Sequence, residues 1–127
     1  MPTAEILKGP QFEIRGWVER DGQCQVLKFL ADLKTNGDTD AGRLAFLMER
    51  TANVGIVRND RQMRELAEGI FEFKAPNTAR ILFFYDRHRL IICSHGFRGK
   101  PGKAKKVVNA AIENAKDIRL RYFAEKR

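Results

Sequence analysis

The sequence predicts an α+β fold, a small antiparallel sheet packed against an N-terminal helical hairpin and closed by a C-terminal helix. Three observations predict it. Two stretches with apolar residues near helical spacing, one after Asp21 and one after Asp40, flank TNGDTD, a loop dense in turn formers. Three strand-like runs, 69–75, 80–86 and 89–95, then follow with short breaks. The chain closes on a long helical pattern. With 127 residues the chain reads as one domain, 1–127. That length buries roughly two thirds of its unfolded surface, enough for a core without staples.

Each element has its own warrant. QFEIRGWV (11–18) alternates moderately and carries Phe12, Ile14, Trp17 and Val18, which predicts a first strand. In the next segment Val26, Leu27, Leu30 and Leu33 recur near helical spacing, and Asp21 can cap the start. Asp40 can cap a second helix whose stripe is Leu44, Leu47, Met48 and Val54. GIFEFKA (69–75) sets Ile70, Glu72 and Lys74 against Phe71 and Phe73, which predicts a strand with one wet face. RILFFYD and RLIICSH are nearly continuous apolar runs, as central strands covered on both faces would be. After a basic turn, Val108, Ile112, Ala115 and Tyr122 mark the last helix. Phe71, Phe73, Phe83, Phe84 and Trp17 read as core.

Composition narrows the function classes. At 43% hydrophobic and 31% charged the chain is of ordinary globular type. No apolar run approaches the ~18 residues of a membrane span, and MPTAEILKGPQ lacks an apolar signal core. A cytoplasmic protein without a membrane partner is expected. Cys24 and Cys93 form no disulfide framework, and Cys93 reads as a small buried hydrophobe. No ligand-spaced acidic or histidine cluster is present, so neither metal nor cofactor is expected.

The net charge of +8 is unevenly placed. Residues 1–79 carry 11 basic and 12 acidic side chains, residues 80–127 carry 13 and 4. The second part is therefore +9, which points to a polyanionic partner such as nucleic acid, or to a basic surface kept for solubility. The densest run is HGFRGKPGKAKK, with Arg98, Lys100, Lys103, Lys105 and Lys106 inside nine positions. Lysines before a helix start oppose the helix dipole, whereas the free N–H groups there suit a phosphate.

The order of motifs from Met63 to Lys106 resembles the RelE superfamily of bacterial toxins, and most closely the phage-derived HigB-like branch. The family pattern is a Leu-rich helix end, a strand ending in Arg or Lys, an aromatic-Arg-aliphatic strand, His-Gly-Phe and a basic stretch. Here these are Met63–Leu66, Ile70–Lys74, Ala79–Phe84, His95–Phe97 and Arg98–Lys106. Ala79 departs from the pattern, where an aromatic residue usually precedes the arginine. The resemblance implies the toxin of a type II toxin–antitoxin system: a ribosome-dependent messenger RNA endonuclease that works without metal. It also implies a cognate antitoxin, of helix-turn-helix type, as partner. Two alternatives stay open: a ParE-like gyrase-inhibiting toxin, and a non-catalytic RNA- or ribosome-binding domain of phage origin.

Cleavage by the RNA's own 2′-hydroxyl needs a proton acceptor, a stabiliser of phosphorane charge and a proton donor. Arg80 matches the superfamily's phosphate-contacting arginine, and its planar guanidinium suits phosphorane charge but cannot serve as a base. Its bland reading is a strand-end salt bridge. Lys74 matches a basic position, and a lysine crowded by cations can exchange a proton; it can equally be a solvated edge residue. His95 ends a strand in the matching motif and is either a reacting or a packing histidine. His88 reads as an exposed turn residue. Lys100 and Lys103 are expected nearest the chemistry, with Arg98, Lys105 and Lys106 gripping RNA.

Overall fold

The computed structural model describes residues 2–56, 63–99 and 104–126. Among these residues the chain forms β1 (Thr3–Lys8), β2 (Glu13–Trp17), α1 (Gln25–Thr35), α2 (Thr39–Val54), β3 (Met63–Ala67), β4 (Ile70–Lys74), β5 (Ala79–Asp86), β6 (Leu90–Arg98) and α3 (Ala104–Glu125). The strands make one sheet in the order β1-β2-β6-β5-β4-β3. After β2 the chain crosses one face through α1 and α2, reaches the far edge at β3, and returns as a meander. β6 ends beside β2 and runs parallel to it, with Ile14 opposite Ile91. Every other pairing is antiparallel.

The fold is α+β with a C-terminal helix, and two parts of the expected architecture need correction. The sheet is six-stranded and mixed, not small and antiparallel. The helix pair is not N-terminal, because β1 and β2 precede it. Met63–Leu66, which resembles the end of a helix, lies in β3.

Two apolar layers sandwich the sheet. On one face Ile14, Ile81, Phe83 and Cys93 meet Val26, Leu33, Leu44 and Leu47 of α1 and α2. On the other face Trp17, Leu82, Phe84 and Ile92 lie under Ala111, Ala115, Ile118 and Tyr122 of α3. The central strands β5 and β6 are thus buried on both sides, which their unbroken apolar runs require. Phe83 has no exposed surface and stacks on Phe73 with ring centres 4.2 Å apart. Each such ring contributes roughly 1.5–3 kcal/mol through burial. Leu27 and Val54 fall outside the helix stripes expected to bury them; Val54 is 70% exposed.

The helix starts differ from expectation in a way that bears on the site. Asp38, not Asp40, caps α2, its carboxylate accepting from Asp40 N at 2.9 Å. Asp40 is 1% exposed and accepts from the backbone N–H groups of Asn77 and Ala79, at 3.2 and 3.1 Å. It ties the start of α2 to the β4–β5 turn immediately before Arg80. Asp21 caps no helix; it accepts from Gln23 N, and the α1 cap position is Cys24, without a side-chain bond.

Candidate active site

Strand register assembles the site. Lys74 lies opposite Arg80 and Glu72 opposite Leu82 across β4 and β5. Across β5 and β6, Arg80 lies opposite Phe97 and Leu82 opposite His95. Alternate residues of a strand share a face, and directly opposed Cβ atoms lie about 5 Å apart. Leu82 and Phe97 pack in the α3-side core. Lys74, Glu72, Arg80 and His95 therefore share the α3 side of the sheet, toward one end. Three of the candidates, Lys74, Arg80 and His95, thereby lie on one face.

Glu72 is the unforeseen member. It has no exposed surface, although its strand pattern predicts a wet face; α3 covers the side it points to. Its Oε1 accepts from Arg80 Nη1 at 3.1 Å, and its Oε2 accepts from Arg64 Nε at 2.8 Å. The Arg80 side chain is 12% exposed, and its Nε is buried without a hydrogen-bond partner among the described residues. Leaving such a donor unmet costs about 1–3 kcal/mol. The pair orients Arg80 and leaves its guanidinium only partly satisfied among the described residues.

His95 is 6% exposed. Burial pushes its pKa down to about 4, so the ring is neutral near pH 7. Its Nδ1 lies 3.0 Å from Ser94 Oγ, and its ring stacks near Phe97, centres 6.0 Å apart. Gly96 between them faces α1, where a Cβ would run into the Phe29 ring. The glycine of His-Gly-Phe is thus required by close helix–strand packing.

The basic stretch divides. Lys105 and Lys106 are exposed in the first turn of α3. Val108, a turn further on, packs on the core that holds Leu82 and Phe97, so the helix start lies on the site's side of the sheet. Arg98 lies opposite Ala79 on the other face. It pairs with Asp38 and donates to Asn77 O at 3.4 Å and Thr78 Oγ1 at 3.3 Å, so it braces the β4–β5 turn against α2. Lys100 and Lys103 lie outside the described residues. His88 is exposed in the β5–β6 turn, at the opposite end of β5 from Arg80.

That opposite end holds a cleft of about 560 Å³ lined by Thr3, Arg15, His88, Tyr122 and Lys126. Its polar groups largely satisfy one another. Tyr122 Oη and Lys126 Nζ donate to Asp86, at 2.6 and 2.7 Å, and Arg15 donates to Thr3 and Glu13. Burial alone would raise the Asp86 carboxyl, but these donors and Arg87 N hold it below the usual range.

Among the described residues no three His, Cys, Asp or Glu side chains gather as a metal set, and no helix is long and apolar enough to cross a membrane. No curated protein matches the chain. A family model described as phage derived protein Gp49-like (DUF891) matches residues 28–120, a span that contains Lys74, Arg80, His95, Lys105 and Lys106. The chain belongs to this Gp49-like family of phage-derived proteins.

Proposed function

We propose that the chain is the toxin of a type II toxin–antitoxin pair, of the HigB-like kind, and that it cuts messenger RNA on the ribosome by 2′-hydroxyl attack without a metal. The observation that carries the reading is the convergence of Lys74, Arg80 and His95 on one face of the sheet, on the side where α3 begins with Lys105 and Lys106. Family membership supports a phage-derived toxin of a toxin–antitoxin pair, and the reading takes a helix-turn-helix antitoxin as its neutralising partner.

In this reading Arg80 stabilises the charge that grows on the phosphorane oxygens, and Lys74 and His95 share the proton transfers. Lys105 and Lys106 hold the RNA backbone through charge. Lys100 and Lys103 retain their proposed place near the phosphate, and Arg98 contributes only at the margin, since its guanidinium already braces the β4–β5 turn. A second reading, binding without cleavage, draws on the Arg80–Glu72 contact, the ion pair that a purely structural arginine would make.

The test incubates purified protein with ribosomes programmed with a defined message. The reading expects cut message ending in a 2′,3′-cyclic phosphate, with a 5′-hydroxyl on the downstream piece, the products that 2′-hydroxyl attack leaves. Intact message with inhibited gyrase supercoiling would establish the ParE-like alternative. Intact message with retained ribosome sedimentation would establish a binding domain.

A further inference from the structure

The partners of His95 are unequal in what they can do. The β5–β6 register passes from Leu82 opposite His95 to Phe83 opposite Cys93, so Ser94 has no residue across from it. It is the extra residue of a β-bulge. In regular alternation Cys93 and His95 would share a face. Instead Cys93 lies in the core under α1 and α2, while His95 lies opposite Leu82 and beside Phe97 on the α3 side. The one-residue insertion is what turns His95 onto the face of Arg80 and Lys74.

The Ser94 hydroxyl is fully buried between two groups, Leu82 O at 3.2 Å and His95 Nδ1 at 3.0 Å. It has one proton, and a backbone carbonyl can only accept. With the Ser94 proton on Leu82 O, as the Oγ–carbonyl geometry has it, Oγ lone pairs face the ring and Nδ1 carries the hydrogen. Nε2 is then the bare nitrogen, and it has no hydrogen-bond partner among the described residues.

We propose that Ser94 is a positioning residue: its bulge aims His95 at the site, and its hydroxyl fixes the Nδ1–H tautomer, making Nε2 the group that accepts the 2′-hydroxyl proton. The proposal rests on the nuclease reading for its last step. There the proton leaves the 2′ oxygen for Nε2 as the 2′ oxygen–phosphorus bond forms. The bond from phosphorus to the 5′ oxygen breaks, and that oxygen takes a proton from an ammonium, for which Lys74 is the group on the same face. The neutrality that burial gives His95 suits an acceptor and not a donor.

Two measurements test it separately. Long-range nitrogen–proton spectra of the His95 ring at pH 7 read the tautomer without any substrate. Wild type should show Nδ1–H, the form less populated in free histidine, and Ser94→Ala should shift the ring toward Nε2–H. An Nε2–H ring in wild type would overturn the assignment whatever the protein cleaves. Single-turnover cleavage then reads the consequence. Ser94→Ala, with its melting temperature as a folding control, should lose about tenfold or more in kcat at little change in KM, and Ser94→Thr should restore both tautomer and rate. Unchanged cleavage in Ser94→Ala with a shifted tautomer would overturn the positioning role. A protein that never cleaves but shows the Nδ1–H ring would overturn the nuclease reading and leave the tautomer assignment standing.

Discussion

Glu72 has no exposed surface, yet its carboxylate meets two guanidiniums, Arg80 on one oxygen and Arg64 on the other. Removing one partner of a buried ion pair strands the others, at a cost of about 3–5 kcal/mol. Arg64, half exposed, can turn to water, so the lower end applies. Glu72→Gln should lower unfolding free energy by about 3 kcal/mol, measured by urea denaturation, and reduce kcat more than it raises KM because Arg80 loses its orientation. A variant as stable as wild type would show that the carboxylate does not hold Arg80. His95 supplies a pH signature. Its folded pKa of about 4 lies below the ordinary 6.5, so between these values the unfolded chain binds the extra proton. Stability is therefore full above pH 6.5 and falls as pH drops toward 4, by up to about 1.4 kcal/mol per pH unit. His95→Gln should flatten unfolding free energy over that window; an unaltered slope would assign the titration elsewhere.

The β5–β6 turn stores strain in the backbone. His88 and Arg89 both take left-handed conformations, φ 59° and 60°, at about 1–2 kcal/mol each for residues with a Cβ. Asparagine and glycine tolerate that conformation best, and both positions lie in the three-residue loop, 87–89, between the paired Asp86 and Leu90. The paired substitutions His88→Asn and Arg89→Gly should therefore raise stability by roughly 1–2 kcal/mol, less the exposed hydrogen bond from Arg89 to Gln11. Calorimetry should show a higher melting temperature; a fall would mean that the arginine contact outweighs the strain. Legibility also varies by element. β4, β5, β6 and α3 were readable because their apolar periods are strong and Gly or Asp marks their ends. β1 was hidden because the register shift between Glu5 and Leu7 breaks its alternation. β3 was hidden because Met63, Arg64, Glu65, Leu66 and Ala67 are all good helix formers, overridden when the segment pairs with β4 as a sheet edge. The same limit applied to the site. Arg80 and Lys74 stood out as charged residues at strand ends, and His95 as a titratable residue before Gly96, although β6 runs on past it to Arg98. Glu72 read as solvent-facing and nothing in the sequence marked Ser94, since α3 and the bulge that position them come from distant pairing.

Across the whole molecule the excess positive charge lies in residues 80–127, and Lys105 and Lys106 add theirs on the side of the sheet that carries Arg80. Ribosome affinity should fall steeply with salt. Neutralising Lys105 and Lys106 together should reduce the slope of log affinity against log salt by about 1.4, from ~0.7 per single-strand phosphate contact. An unchanged slope would remove both from the interface. Grip and chemistry separate at Arg80. One charge among the 13 basic residues of that part adds little to diffuse attraction, but a guanidinium on developing phosphorane charge is worth on the order of 3–4 kcal/mol. The most direct measurement is single-turnover cleavage of ribosome-bound message by Arg80→Ala and Arg80→Lys, with circular dichroism and ribosome pelleting as controls. Arg80→Ala should still fold, at a lower melting temperature because buried Glu72 loses one of its two cations, and should bind ribosomes while cutting at least about a hundredfold more slowly, with Arg80→Lys recovering only part because the fork geometry is lost. Arg80→Ala cutting at the wild-type rate would contradict the account and leave Arg80 as the ion-pair partner of Glu72 alone.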